Sequence, residues 1–190
     1  MTGDRTPHIT VTYRNGRAEI TSVYTVNEEI SRELDRHIKK PGGEDLQAWL
    51  EKKGCQLDSS GGPALVWRFA SGTTEEMYYR EGRLHREDGP ADVWRSVDGL
   101  TTVEKYYREG RLHREDGPAL VWCYANGSTM EQYYRNGELH REDGPAVVKR
   151  YANGSNYEEY YRDGKKHRED GPAYVWHSAN GSTEEKILSR

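Results

Sequence analysis

The sequence predicts a mainly β fold: an elongated single-layer antiparallel sheet of tandem β-hairpin repeats, preceded by a small N-terminal cap of one hairpin and two helices. Three observations carry that expectation. Tyr pairs recur at Tyr78-Tyr79, Tyr106-Tyr107, Tyr133-Tyr134 and Tyr160-Tyr161, at steps of 28, 27 and 27 residues, and a fixed period of this size marks stacked units. Each unit holds β-prone runs joined by Gly- and Asn-containing turns, the pattern of a hairpin. The composition is polar, 33% hydrophobic against 32% charged, with 14 Tyr and 5 Trp but one Phe. A thin sheet buries little per residue, so Ala, Val and amphipathic rings suffice where a globular core needs Leu, Ile and Phe.

The elements follow in chain order. Residues 9–26 read as a hairpin around Asn15-Gly16. A helix is expected over 28–39, with Ile30, Leu34 and Ile38 on one stripe and Thr25 and Glu28 spaced as a capping box. Pro41-Gly42-Gly43 breaks it, and a second helix over 45–53 carries Leu46, Trp49 and Leu50 before Gly54 ends it. Residues 1–60 thus form the cap and 61–190 the array. The array opens at Gly62-Pro63-Ala64-Leu65-Val66-Trp67 and closes with Ile187-Leu188 where a Tyr pair would stand; atypical terminal units are common in repeat arrays.

Within a repeat, the phrase His-Arg-Glu-Asp-Gly-Pro-Ala starts at His85, His113, His140 and His167 and leads into the first strand. There Ala91 and Val93, Ala119 and Val121, Ala146 and Val148, and Ala173 and Val175 alternate onto one face. The position between them varies (Asp92, Leu120, Val147, Tyr174), which predicts a more open second face. Trp94, Trp122 and Trp176 share that face by parity, and Lys149 replaces Trp in the third copy, which implies water within reach. One repeat is read as two short strands and two connections, advancing the array by roughly 10 Å, so the ribbon is on the order of 45 Å long.

With the Gly-x-Leu-His-Arg-Glu-Asp-Gly-Pro-Ala phrase and its Tyr-rich hairpins, the chain resembles MORN-repeat proteins of the variant, longer-loop type over residues 61–190 and faintly over 9–20. The resemblance implies successive hairpins in one sheet with aromatic residues lining a groove. Similar variant repeats occur in bacterial antitoxin-like proteins and in large DNA viruses. The period of about 27, against about 23 in the usual repeat, and the acidic-basic loop depart from that pattern. They argue against transferring lipid binding.

The most conspicuous polar set is the loop ladder His85-Arg86, His113-Arg114, His140-Arg141 and His167-Arg168, each followed by Glu-Asp. An enzyme needs one constellation in one pocket, whereas this set recurs at every step, so no catalytic residue, metal site or cofactor is expected. The structural reading is that Asp organises the turn before Gly-Pro while His, Arg and Glu bond backbone groups or the adjacent loop. A second ladder, Arg80, Arg108, Arg135 and Arg162, is expected to pair across strands with Glu76, Glu104, Glu131 and Glu158. The candidate partner-binding face is the row Trp67, Trp94, Trp122 and Trp176 with Tyr79, Tyr107, Tyr134 and Tyr161, since large aromatic surfaces mark interaction sites. The rival reading is that in so thin a sheet the same rings are simply the core.

The formal net charge of −4 disfavours nucleic acid, whose nonspecific binding rests on clustered Lys and Arg. No run is long and apolar enough to span a membrane, no secretion signal is seen, and Cys55 and Cys123 do not form a disulfide framework, so a cytoplasmic protein is expected. The functional expectation is a non-enzymatic protein that binds another protein along its ribbon, as an immunity or antitoxin-like neutralising factor in its most concrete form. The alternative is a binder of nucleotides or other small anionic ligands on the Arg/His loop ladder. Open sheet edges also permit self-association.

Overall fold

The computed structural model describes residues 57, 59, 62–69 and 71–186 (Lys186 by its backbone), the isolated Lys52, and the backbone of 8–14 and 17–24. The chain divides into two compact units, 1–97 and 98–190, each built on one sheet. The fold is mainly β, made of tandem antiparallel hairpins that do not close into a barrel. Apart from Lys52, the expected helices over 28–39 and 45–53 lie outside the described residues, as does the closing Ile187-Leu188.

In the first unit, β1 (His8–Arg14) and β2 (Arg17–Tyr24) form the hairpin read around Asn15-Gly16. They are followed by β3 (Leu65–Arg68), β4 (Thr74–Met77), the two-residue strands β5 (Tyr79–Arg80) and β6 (Arg83–Leu84), and β7 (Asp92–Arg95). The order is β2-β1-β3-β4-β7. One pairing departs from the all-antiparallel expectation: β1 runs parallel to β3, with Ile9 opposite Leu65. The segment between β2 and β3 far exceeds the dozen or so residues that a parallel crossover requires.

The second unit repeats one module. Its long strands are β8 (Thr102–Lys105), β11 (Leu120–Cys123), β12 (Thr129–Gln132), β15 (Val147–Arg150), β16 (Asn156–Glu159), β19 (Tyr174–His177) and β20 (Thr183–Lys186), in that order across the sheet. Between them stand small ladders: β9 (Tyr107–Arg108) with β10 (Arg111–Leu112), β13 (Tyr134–Arg135) with β14 (Glu138–Leu139), and β17 (Tyr161–Arg162) with β18 (Lys165–Lys166). A repeat is therefore two hairpins, not two strands and two plain connections. The second was overlooked because its strands are only two residues long, too short to show alternation.

Turn chemistry explains both hairpins. In the long one, Tyr124 donates its N–H to Ser128, Gly127 sits at φ 82°, and Asn126 Oδ1 accepts the Ser128 N–H at 2.9 Å, a three-residue loop with Gly at its left-handed position. The short turns put two successive residues at positive φ, as a type I′ turn demands: Glu81, Glu109, Asn136 and Asp163 at 49–54°, each followed by Gly.

Burial follows the period. Ala64, Ala91, Ala119 and Ala146 are fully buried, and Val66, Val93, Val148 and Val175 nearly so. These valines share their face with glutamates directly opposite, Val93 facing Glu76 and Val148 facing Glu131. The other face is less open than expected: Leu65, Asp92 and Val147 are buried, while Leu120 and Tyr174 are half-buried. Their cross-strand neighbours are long side chains, Met77 beside both Leu65 and Asp92 and Gln132 beside Val147, and these shield the intervening row.

The candidate functional site: an aromatic face and a loop ladder

The first Tyr of each pair is the hub of its repeat. Its N–H donates to the buried Ala at the start of the next long strand and its carbonyl accepts the N–H of the loop His, as in Tyr133 with Ala146 and His140. The loop Arg lies over that same ring, with guanidinium carbons 3.9, 3.9, 4.0 and 3.9 Å from the ring centroids for Arg86 on Tyr78, Arg114 on Tyr106, Arg141 on Tyr133 and Arg168 on Tyr160. Each of these Arg also donates to the carbonyl of its own loop Pro, from 3.1 to 3.5 Å. Arg86 and Arg141 donate further to Asp88 and Asp143, and these guanidiniums hold both carboxyls below the usual range. The Gly before Pro is part of the same device, since a Cβ on Gly144 would meet the Arg141 guanidinium at 3.2 Å.

The second Arg ladder does not pair as predicted. Arg80, Arg108, Arg135 and Arg162 reach the loop glutamates Glu87, Glu115, Glu142 and Glu169 at 2.9–3.2 Å. Glu76 and Glu131 engage Arg95 and Arg150 on the neighbouring strand instead. The small second hairpin is the cause, because it turns each post-Tyr Arg back toward its own loop.

Consecutive repeats are joined at both edges of the sheet. At the loop edge, His113 Nδ1 accepts the Asn136 N–H and His140 Nδ1 accepts the Asp163 N–H, both at 3.1 Å. His140 Nδ1 also lies 2.9 Å from the Asp163 carboxylate, and the Nε2 atoms of His113 and His140 face the Glu of their own loop at 3.6 and 3.4 Å. At the opposite edge, Ser128 and Ser155 hydroxyls accept the N–H of Ala152 and Ala179. Leu57 matches a loop residue in its bonding: its carbonyl accepts the Gly82 N–H as that of Leu112 accepts the Gly137 N–H.

Open clefts lie between successive loops. One of about 600 Å³ is lined by His113, Arg114, Arg135, His140 and Arg141, a second of about 610 Å³ by Ser59, Tyr78, His85 and Arg86, and a third of about 320 Å³ by Arg141, Arg162, His167 and Arg168. Carboxylates line them too, and several pair with these cations, as Glu142 does with Arg135, Asp143 with Arg141 and Glu169 with Arg162. His85 and His140 are buried, His113 half-buried and His167 exposed. Among the described residues no group of three His, Cys, Asp or Glu side chains is placed to hold a metal, and no helix is long and apolar enough to cross a membrane.

In each unit the other face of the sheet carries aromatic rings. Trp67 and Trp94 of the first unit and Trp122 and Trp176 of the second are all half-buried. Of the second-Tyr row, Tyr79 is withdrawn at 5% exposure, whereas Tyr107, Tyr134 and Tyr161 are half-buried. Sequence reading missed further members. Tyr124 stacks on Trp122 (centroids 5.6 Å apart, 5° between planes) and Tyr151 meets Trp176 edge-on at 5.3 Å. Both are exposed, as is Phe69 at the equivalent turn. Their signal was available: each stands two residues after the Trp position and therefore on its face.

The fold and this face define a tandem-hairpin repeat protein. No protein-family profile matches the chain, and no curated protein matches it in sequence.

Proposed function

We propose that the chain is a non-enzymatic repeat protein, of the kind the MORN-repeat resemblance suggests, that binds a partner protein through the aromatic face of its sheet. The observation that carries this reading is the half-buried Trp residues on the sheet of each unit, extended by exposed Phe69 in the first and by exposed Tyr124 and Tyr151 in the second. Trp and Tyr dominate interface energetics, and their two χ angles leave little side-chain entropy to lose. A neutralising factor of the immunity or antitoxin kind is the concrete form this takes. The competing reading, small anions held by the loop ladder, has less support: Arg86, Arg114, Arg141 and Arg168 are each committed to a Tyr ring and a Pro carbonyl.

The test is retention of a host protein by the immobilised chain. Trp122→Ala and Trp176→Ala should lose it while keeping the parent far-UV circular dichroism, and retention should persist in about 0.5 M salt, where exposed charge pairs are screened. Retention by both folded variants, or release by salt alone, refutes the aromatic-face reading.

A further inference from the structure

We propose that the aromatic face of the second unit takes a proline-rich segment in the polyproline II conformation, with an acidic side chain on Lys149 and prolines over the Trp122 and Trp176 positions on either side. This rests on the protein-binding reading and names the chemistry of the partner. Three observations carry it.

The first is spacing. Trp122, Lys149 and Trp176 occupy matching positions on β11, β15 and β19, joined through Met130 and Tyr157 on the intervening strands β12 and β16. With strands about 4.8 Å apart, the row repeats every ~9.6 Å. A polyproline II helix has three residues per turn and rises about 3.1 Å per residue, so residues i, i+3 and i+6 share one side every ~9.3 Å. An α-helix presents one side every ~10.5 Å and drifts about 2 Å out of step over two modules. An extended strand repeats every ~6.6 Å and does not match at all.

The second is surface chemistry. Trp122 with Tyr124 and Trp176 with Tyr151 form two aromatic pairs flanking Lys149. Aromatic rings with polar edges are the surfaces on which proline-rich segments dock, because the preformed helix loses little entropy on binding.

The third is charge. Lys149 stands where the other modules have Trp, and its ammonium lies 5.5 Å from the Tyr157 ring centroid. Its direct cross-strand neighbours, Met130 and Tyr157, are uncharged. Of the acids on this face, Glu159 is taken by Lys166 and the Tyr161 hydroxyl, and Glu184 lies beyond Trp176 on β20. A half-buried cation among aromatic rings is complemented by a carboxylate from outside.

The experiment titrates the full chain with a blocked undecapeptide of ten prolines and one central glutamate, and with its glutamine- and lysine-centred counterparts, following tryptophan fluorescence and heat. The glutamate peptide should bind at least about tenfold more tightly than the glutamine peptide. Lys149→Gln should erase that difference, Lys149→Glu should shift preference to the lysine peptide, and Tyr124→Ala should weaken all three. Equal affinity for the glutamate and glutamine peptides, no binding at about 1 mM, or unchanged preference in both folded Lys149 variants overturns the inference. If Trp122→Ala loses a host partner while the peptides never bind, the broader reading stands and this one falls.

Discussion

His140 and His167 carry the same residue in the same phrase but differ in surroundings. The His140 side chain is 6% exposed and holds the Asp163 N–H of the next repeat, while that of His167 is 43% exposed. Removing the buried acceptor leaves a backbone donor unsatisfied. His140→Ala should therefore cost about 1–3 kcal/mol, and His167→Ala should stay within about 0.5 kcal/mol, read from urea unfolding. At the left-handed turn position the copies differ in fitness: Asn136 and Asp163 tolerate positive φ, whereas Glu81, at 50°, does not readily. Glu81→Asn should raise stability by about 0.5–1 kcal/mol, measured by the same titration. The need for a special turn residue was legible as the Gly that follows each position. The His bond was not, because its partner lies 23 residues away.

At the scale of the element, the loop is a closed set of bonds around the first Tyr ring. Its residue types were readable as structural, but their partners were not. The predicted cross-strand pairing of the Glu76 and Arg80 ladders followed from placing each Glu and Arg on one continuous strand, and the two-residue hairpin directs Arg80 to Glu87 instead. That arrangement has a pH signature. The carboxyls of Asp88 and Asp143 are held low by Arg86 and Arg141, Asp163 by Arg135, and Glu169 by His167 and then Arg162. The folded state thus binds these protons less readily than the unfolded chain. The stability they contribute is complete above about pH 4–5, near the unfolded carboxyl values, and is lost as pH falls through the lower folded values. Unfolding temperature should drop in that acid window and less steeply in high salt, since all four groups face solvent. A flat profile from pH 6 to about 3 would contradict this account.

At the scale of the whole molecule, the second unit is a sum of equivalent modules, each bonded to its neighbours at two edges. Deleting residues 119–145 removes one period and joins Pro118 to Ala146, which continues the phrase in register. The shortened chain should keep its β circular dichroism and unfold with a lower urea m-value, in proportion to the surface lost. Deleting 119–132 removes half a period, places a Tyr pair where a long strand belongs, and should leave the unit unfolded. If both deletions behave alike, the modular description is wrong.

The sequence alone determined the period, the long hairpins and which residues alternate onto each face of their strands, because these depend on turn residues and on alternation over a few neighbours. It also placed the Trp row and the Arg/His ladder on separate surfaces. Only the tertiary structure decided which charge meets which, that Tyr79 is buried while Tyr124 and Tyr151 are exposed, and that β1 lies parallel to β3. Those outcomes depend on how each short hairpin folds back on its own loop and on which strands and loops lie side by side when modules stack, and alternation along a few residues carries no record of either.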